Sequence, residues 1–116
     1  MKAKGNGDII IMGSEASIVG KKKASLYSAA KFGLRGFAQS LRDECGNTGV
    51  RVCLINPGFV RTPFFDTLNF KPGEDGNNAI EPGDIAKIVC DIIETRKGTN
   101  IDEINVSPAS KSIIFK

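Results

Sequence analysis

Residues 7–31 begin Gly7-Asp8-Ile9-Ile10-Ile11-Met12-Gly13-Ser14, continue through EASIVGKKKAS, and reach Leu26-Tyr27-Ser28-Ala29-Ala30-Lys31. Asp8 to Met12 is a short, unbroken apolar run rich in isoleucine. Such a run suits a strand covered on both faces, as in a parallel sheet. Gly13-Ser14 stops it. Glu15 to Ser25 is mixed and basic, a loop. From Leu26 to Cys45 apolar residues return at helical spacing: Leu26, Ala30, Phe37, Leu41 and Cys45, with Ala29, Gly33 and Leu34 beside them. This is the strongest helix in the chain. Ser25 is its expected N-cap, and Gly46 or Gly49 its stop. Its small residues allow a close backbone approach, either to the sheet or to a second copy of the helix.

Moving outward, Val50 to Ile55 (VRVCLI) is a second buried-strand segment, ended by Asn56-Pro57-Gly58. Thr62 to Asn78 is expected to be irregular, with apolar islands at Phe64, Phe65, Leu68 and Phe70, as in lids and binding loops. Those phenylalanines suit core, dimer or substrate contacts equally. Glu81-Pro82-Gly83-Asp84 opens another helix, with Ile85, Ile88, Val89, Ile92 and Ile93 on one face. Asp102 to Val106 forms a third strand, followed by a tail. Met1 to Gly7 is a polar, glycine-rich loop. The order strand, helix, strand, helix, strand argues for βαβ crossovers and a parallel α/β sheet.

The 116 residues allow one domain and one modest core. Hydrophobic residues make up 41% and charged residues 25%, ordinary for a globular protein. A net charge of +3 is too small to argue for nucleic acid. Lys21-Lys22-Lys23 has no interleaved aromatics and reads as a solvated loop rather than a phosphate patch. Cys45, Cys53 and Cys90 are odd in number and far apart, so neither disulfides nor a metal site are expected. The absence of histidine excludes a histidine-based triad within the chain. Reduced thiols fit a cytoplasmic location. No apolar run approaches the roughly 18 residues of a membrane span, so no membrane partner is expected.

In open α/β sheets ligands bind beyond the carboxyl ends of the strands. Ser14 follows the first strand and Pro57-Gly58 the second, so parallel strands would place both on one edge. Tyr27 and Lys31 are four residues apart and share a helix face. A phenol is a poor acid or base at neutral pH, and a nearby ammonium favours its ionised form. Ser14 supplies a hydroxyl from another element to the same substrate oxygen.

These residues carry a family resemblance. Gly7 to Ser14 resembles the strand ending in the catalytic serine of short-chain dehydrogenase/reductases. Ser14 lies 13 residues before Tyr27, a spacing typical of that family. Tyr27-Ser28-Ala29-Ala30-Lys31 matches its YxxxK motif. Gly49-Val50-Arg51-Val52 and Asn56-Pro57-Gly58-Phe59-Val60-Arg61-Thr62 resemble its next strand and PGxxxT turn. The resemblance runs from about Gly7 to Val106. It implies the C-terminal part of a Rossmann-type doubly wound parallel sheet, as a single partial domain over residues 1–116. It also implies an oxidoreductase that uses NAD or NADP to interconvert a small-molecule carbonyl and an alcohol by hydride transfer. Tyr27 would be the general acid/base. Lys31 would assist it and hold the ribose hydroxyls. Ser14 would polarise the carbonyl. Pro57, Gly58, Val60 and Thr62 would border the nicotinamide. Ile101 to Pro108 (IDEINVSP) resembles the 3-oxoacyl-acyl-carrier-protein reductases of the family. The helix 26–45 is expected to form a homo-oligomer contact.

The family's TGxxxGxG turn, its NNAG segment and its coenzyme-selecting residue are missing. The chain is therefore expected to be truncated, inactive alone and a weak binder of the dinucleotide. Rival readings remain at this stage. Ser17 competes with Ser14, Lys31 could be a surface lysine, and Thr62 could cap a short helix. The chain could also be a non-catalytic oligomerising module. A serine hydrolase is disfavoured because no nucleophile elbow surrounds Ser14. An epimerase sharing YxxxK fits the NPGxxxT segment less well.

Overall fold

A computed structural model describes residues 1–15 and 24–116. Three parallel strands form the main sheet: β1 (Gly7–Met12), β2 (Val50–Pro57) and β4 (Glu103–Val106), in the spatial order β1-β2-β4. Gly7 to Met12 align with Val50 to Ile55, and Leu54 to Pro57 align with Glu103 to Val106. Helix α1 (Ser25–Glu44) connects β1 to β2, and α2 (Pro82–Glu94) connects β2 to β4. The α/β expectation is met, with each strand within one or two residues of its expected bounds.

The two helices cover opposite faces of the sheet. On one face Cys45, Val50 and Val52 cluster with Ile9, Ile11 and Leu41. On the other, Cys53, Ile55 and Ile92 cluster with Ile10, Ile88, Val89, Ile104 and Val106. β2 lies between them, and Val50 to Asn56 are all buried. Alternate side chains of one strand thus feed two cores, which is why VRVCLI shows no polar alternation. Entry to β2 needs a left-handed residue. Gly49 supplies it at φ 80°, and a Cβ there would run into the Gly5 carbonyl. Before β4 begins, the Asn100 side chain pairs with β2 in place of backbone, accepting from Val52 N and donating to Val52 O.

Several local expectations need correction. Ser25 does not cap α1; the N-cap is Ala24, without a side-chain bond, and Ser25 is the first helical residue. The helix ends at Glu44, with Cys45 as C-cap in a right-handed conformation rather than at a left-handed glycine. β2 runs on through Asn56 and Pro57 because β4 pairs with them. Proline tolerates this because only its carbonyl is available to a ladder.

The stretch after Thr62 is more regular than its composition indicates. A short 3-10 turn, Pro63–Phe65, precedes strand β3 (Phe70–Pro72). The tail supplies β5 (Ile113–Phe115), antiparallel to β3. Phe59, Phe65 and Phe70 form a ring cluster with centroids 5.2–6.0 Å apart. Phe65 is buried within it, so this aromatic set is a small core of its own, with Phe64 exposed on its flank.

Candidate active site

The carboxyl edge of the sheet gathers the expected residues from two strands. Gly13 N donates to Ile55 O at 2.7 Å, extending the β1–β2 ladder one residue beyond β1. Ser14, half-buried, therefore leaves the sheet beside the end of β2. Gly58 N donates to Val106 O at 2.8 Å, so the Pro57-Gly58 turn is held against β4 at the same edge. Ser14 and Pro57-Gly58 thus share an edge, as two parallel strands require.

Tyr27 and Lys31 arrive from α1. The far end of that helix, Leu41 and Cys45, packs on Ile9, Val50 and Val52 near the starts of the strands. α1 therefore runs back along the sheet, with its first turns toward the carboxyl edge. A helix of this length is about 30 Å long against about 20 Å for β1, so its beginning overhangs the strand ends. Lys31 Nζ lies 5.6 Å from the centre of the Tyr27 ring, over its face. Tyr27 is 42% exposed, open to a ligand arriving at the edge. Lys31 is half-buried.

The turn after β2 is braced from outside. Val60 bridges Ile80, Ile80 N donates to Phe59 O, and Arg61 N donates to Ile80 O. Thr62 Oγ1 accepts from Phe64 N at 3.3 Å, so Thr62 is the N-cap of the short turn that follows. Its hydroxyl also donates to Val60 O at 3.4 Å, which ties it back to the edge. Ser17 and Lys21 to Lys23 lie outside the described residues. Among the described residues no cluster of acids and cysteines could hold a metal ion. No described helix is long and apolar enough to cross a membrane.

Sequence reasoning missed a further part of this edge. Lys111, from the tail, pairs with Glu15 at 3.3 Å, immediately after Ser14. Its Nζ also stands 5.3 Å from the Phe59 ring centre. The partners are 96 residues apart, so no local pattern could reveal the contact.

Comparison with known proteins identifies the family of this fold. The profile of the short chain dehydrogenase family matches residues 1–72, which contain β1, α1 and β2. An uncharacterized oxidoreductase of Staphylococcus saprophyticus is 32% identical over 108 residues, covering 93% of this chain and 44% of that protein. Serine dehydrogenase from Escherichia coli superposes with a TM-score of 0.72 at 27% identity, over 90% of this chain and 41% of that one. A closed form of serine dehydrogenase complexed with NADP+ gives 0.78 at 28%, over 91% and 46%. A β-ketoacyl-[ACP] reductase from Bacteroides thetaiotaomicron gives 0.76 at 27%, over 93% and 43%. This chain spans a little under half the length of each of these relatives. On this profile match the chain belongs to the short-chain dehydrogenase/reductases.

Proposed function

We propose that this chain contributes the substrate-side half of an NAD(P)-dependent oxidoreductase that interconverts a carbonyl and an alcohol. The observation that supports the reading is Lys31 Nζ over the Tyr27 ring, on the first turns of a helix that begins toward the edge where Ser14 and Pro57-Gly58 leave the sheet. Tyr27 is the proton donor to the carbonyl oxygen in reduction and the acceptor in oxidation. Lys31, over the Tyr27 ring, favours the ionised phenol. Ser14 donates a hydrogen bond to the same oxygen and fixes its direction. Hydride transfer to or from the substrate carbon is supplied by the nicotinamide when it is bound.

The residues present suit one end of such a dinucleotide. At Gly58 a Cβ would stand 3.2 Å from Pro108 and 3.4 Å from Glu15, so a side chain there would press its neighbours back, and glycine leaves backbone at the edge. Pro57, Gly58, Val60 and Thr62 would border the nicotinamide, and Lys31 would reach the ribose hydroxyls. The pyrophosphate end is not matched by α2, whose N-terminus carries Glu81 and Asp84. Asp84 Oδ2 already accepts from Glu81 N there, and its charge repels an anion. None of these residues meets the 2′-phosphate that separates NADP from NAD, so the reading covers both.

Two further parts of the reading rest on exposure. The apolar stripe of α1 divides: Leu41 and Cys45 pack on the sheet, whereas Leu26 is 87% and Phe37 56% exposed. A second copy of the chain is the proposed partner for that outward face, alongside a small-molecule substrate. The free cysteines fit a cytoplasmic location.

Tyr27→Phe tests the catalytic reading. In the full-length protein, with a panel of 3-oxoacyl and other carbonyl substrates, it should lower kcat by about 10²–10⁴-fold, with coenzyme affinity nearly unchanged. A variant that keeps a tenth of wild-type turnover would show that Tyr27 is not the proton donor.

A further inference from the structure

The tail after β4 is fastened across the carboxyl edge. Ser110 N donates to Asn77 O at 2.9 Å, and Asn78 Nδ2 donates to Ser110 O at 2.6 Å. Gly73 N donates to Ser112 O at 2.9 Å, and β5 continues the ladder on β3. Lys116 closes it, with its N on Asn69 O and its Nζ on Phe65 O. Lys111 lies between the two fastened serines, so its backbone is fixed before its side chain makes any contact. That side chain crosses to Glu15 and passes over Phe59. Pro108 comes close to Gly58, the turn glycine of the edge.

We propose that Glu15 and Lys111 are positioning residues. Their ion pair latches segment 107–112, as the substrate-side wall of the site, to the turn that carries Ser14. The wall touches the edge at two places, Pro108 on Gly58 and Lys111 on Glu15. A carbonyl substrate that meets Ser14 would lie beside this wall. A partly exposed ion pair is weak when both side chains must be ordered to make it. Here the bonds at Ser110 and Ser112 have already ordered the backbone of Lys111. The latch takes from the oxidoreductase reading only that a substrate meets Ser14; the fastening itself does not depend on it.

Two measurements on the full-length protein test it: hydrogen exchange at the Ser110 and Gly73 amides, and steady-state kinetics. Lys111→Met and Glu15→Gln should each speed exchange at those amides. Each should also raise the KM for the carbonyl substrate by about fivefold, the size of one such pair. The KM for the coenzyme and kcat should stay put. The double variant should be no worse than either single one, and Lys111→Arg should restore both readouts. Lys87→Met, on the exposed face of α2, is the control and should change neither. If both single variants leave exchange and substrate KM at wild-type values, or if the control matches them, there is no latch. An inactive wild-type protein would instead overturn the oxidoreductase reading, and exchange alone would then decide the latch.

Discussion

Arg51 is the second residue of β2, and its side chain is 10% exposed. Its Nε donates to Asp8 Oδ1 at 2.7 Å, and its terminal nitrogens reach the carbonyls of Ile92, Ile93, Thr95, Arg96 and Thr99. Those carbonyls belong to the last turn of α2 and the turn beyond it, where a cation is favoured. Arg51→Met would leave the Asp8 carboxylate, 13% exposed, without its partner. Removing one member of a buried pair costs about 3–5 kcal/mol, so urea denaturation should show a loss of that size. Cys53 makes a second residue-scale prediction. Burial, then the charges of Asp102 and Glu103, push its thiol up to about 11. The unfolded chain gives up that proton at lower pH than the folded one. The contribution is therefore fully present below the ordinary thiol range and is lost as pH rises toward about 11. Denaturation midpoints of wild type should fall over that window, and Cys53→Ala should fall less. Equal falls would mean that other groups cause the alkaline loss.

α1 is the element in which sequence and structure part most usefully. The spacing of Leu26, Ala30, Phe37, Leu41 and Cys45 correctly marks a helix. The residues that face inward are instead Ser28, Ala38 and Cys45, with Lys31, Leu34, Arg35, Leu41 and Arg42 half-buried. The inward face is turned by roughly a quarter of a revolution from the apolar stripe, at 3.6 residues per turn. Charge explains the turn. Arg35 pairs with Glu103 and Arg42 with Asp102, both at 3.0 Å, and these pairs hold the polar side of α1 against β4. No sequence periodicity could show that, because the partners lie 60 or more residues away. The positions of the candidate site residues in the fold were more legible than the packing. Ser14, Tyr27, Lys31 and Pro57-Gly58 sit at strand ends and on the first helical turns, positions that local punctuation marks. Glu15–Lys111 and the β3–β5 pairing depend on long-range closure and left no trace. The outward stripe also yields a prediction. Phe37→Glu should weaken self-association of the protein without lowering helicity, because Phe37 packs outward. Sedimentation velocity beside circular dichroism would read both, and an unchanged mass distribution would remove α1 from the contact.

Across the molecule, exposed area and shape tell the same story. The surface is 7231 Å², against about 6100 Å² for a compact protein of this mass. The radius of gyration is 15.8 Å, against about 13 Å for a compact domain of this length. β1 pairs with β2 alone, so its other edge carries no strand among the described residues. An open edge beside a half-buried isoleucine run is a template for pairing. The 116 residues expressed on their own should associate, and light scattering at micromolar concentration should show species larger than one chain. A single monomer mass with a cooperative thermal transition would mean that the edge is covered. By the same layout, the isolated residues should bind NAD(P)H only weakly, through the nicotinamide end.

The charge within β2 acts before any sheet exists. Val50 to Ile55 is six residues long, and Arg51 is its only ionised side chain. Segments with this β-forming, apolar composition stack readily into cross-β assemblies while a chain is still emerging or refolding. One arginine inside such a segment is a gatekeeper: identical chains stacked in register would bring like charges together. In the native fold the same guanidinium is absorbed by Asp8 and the end of α2, so the protection is withdrawn where it is no longer needed. The residue that joins β1, β2 and α2 thus also puts a like-charge barrier inside an apolar, β-forming segment.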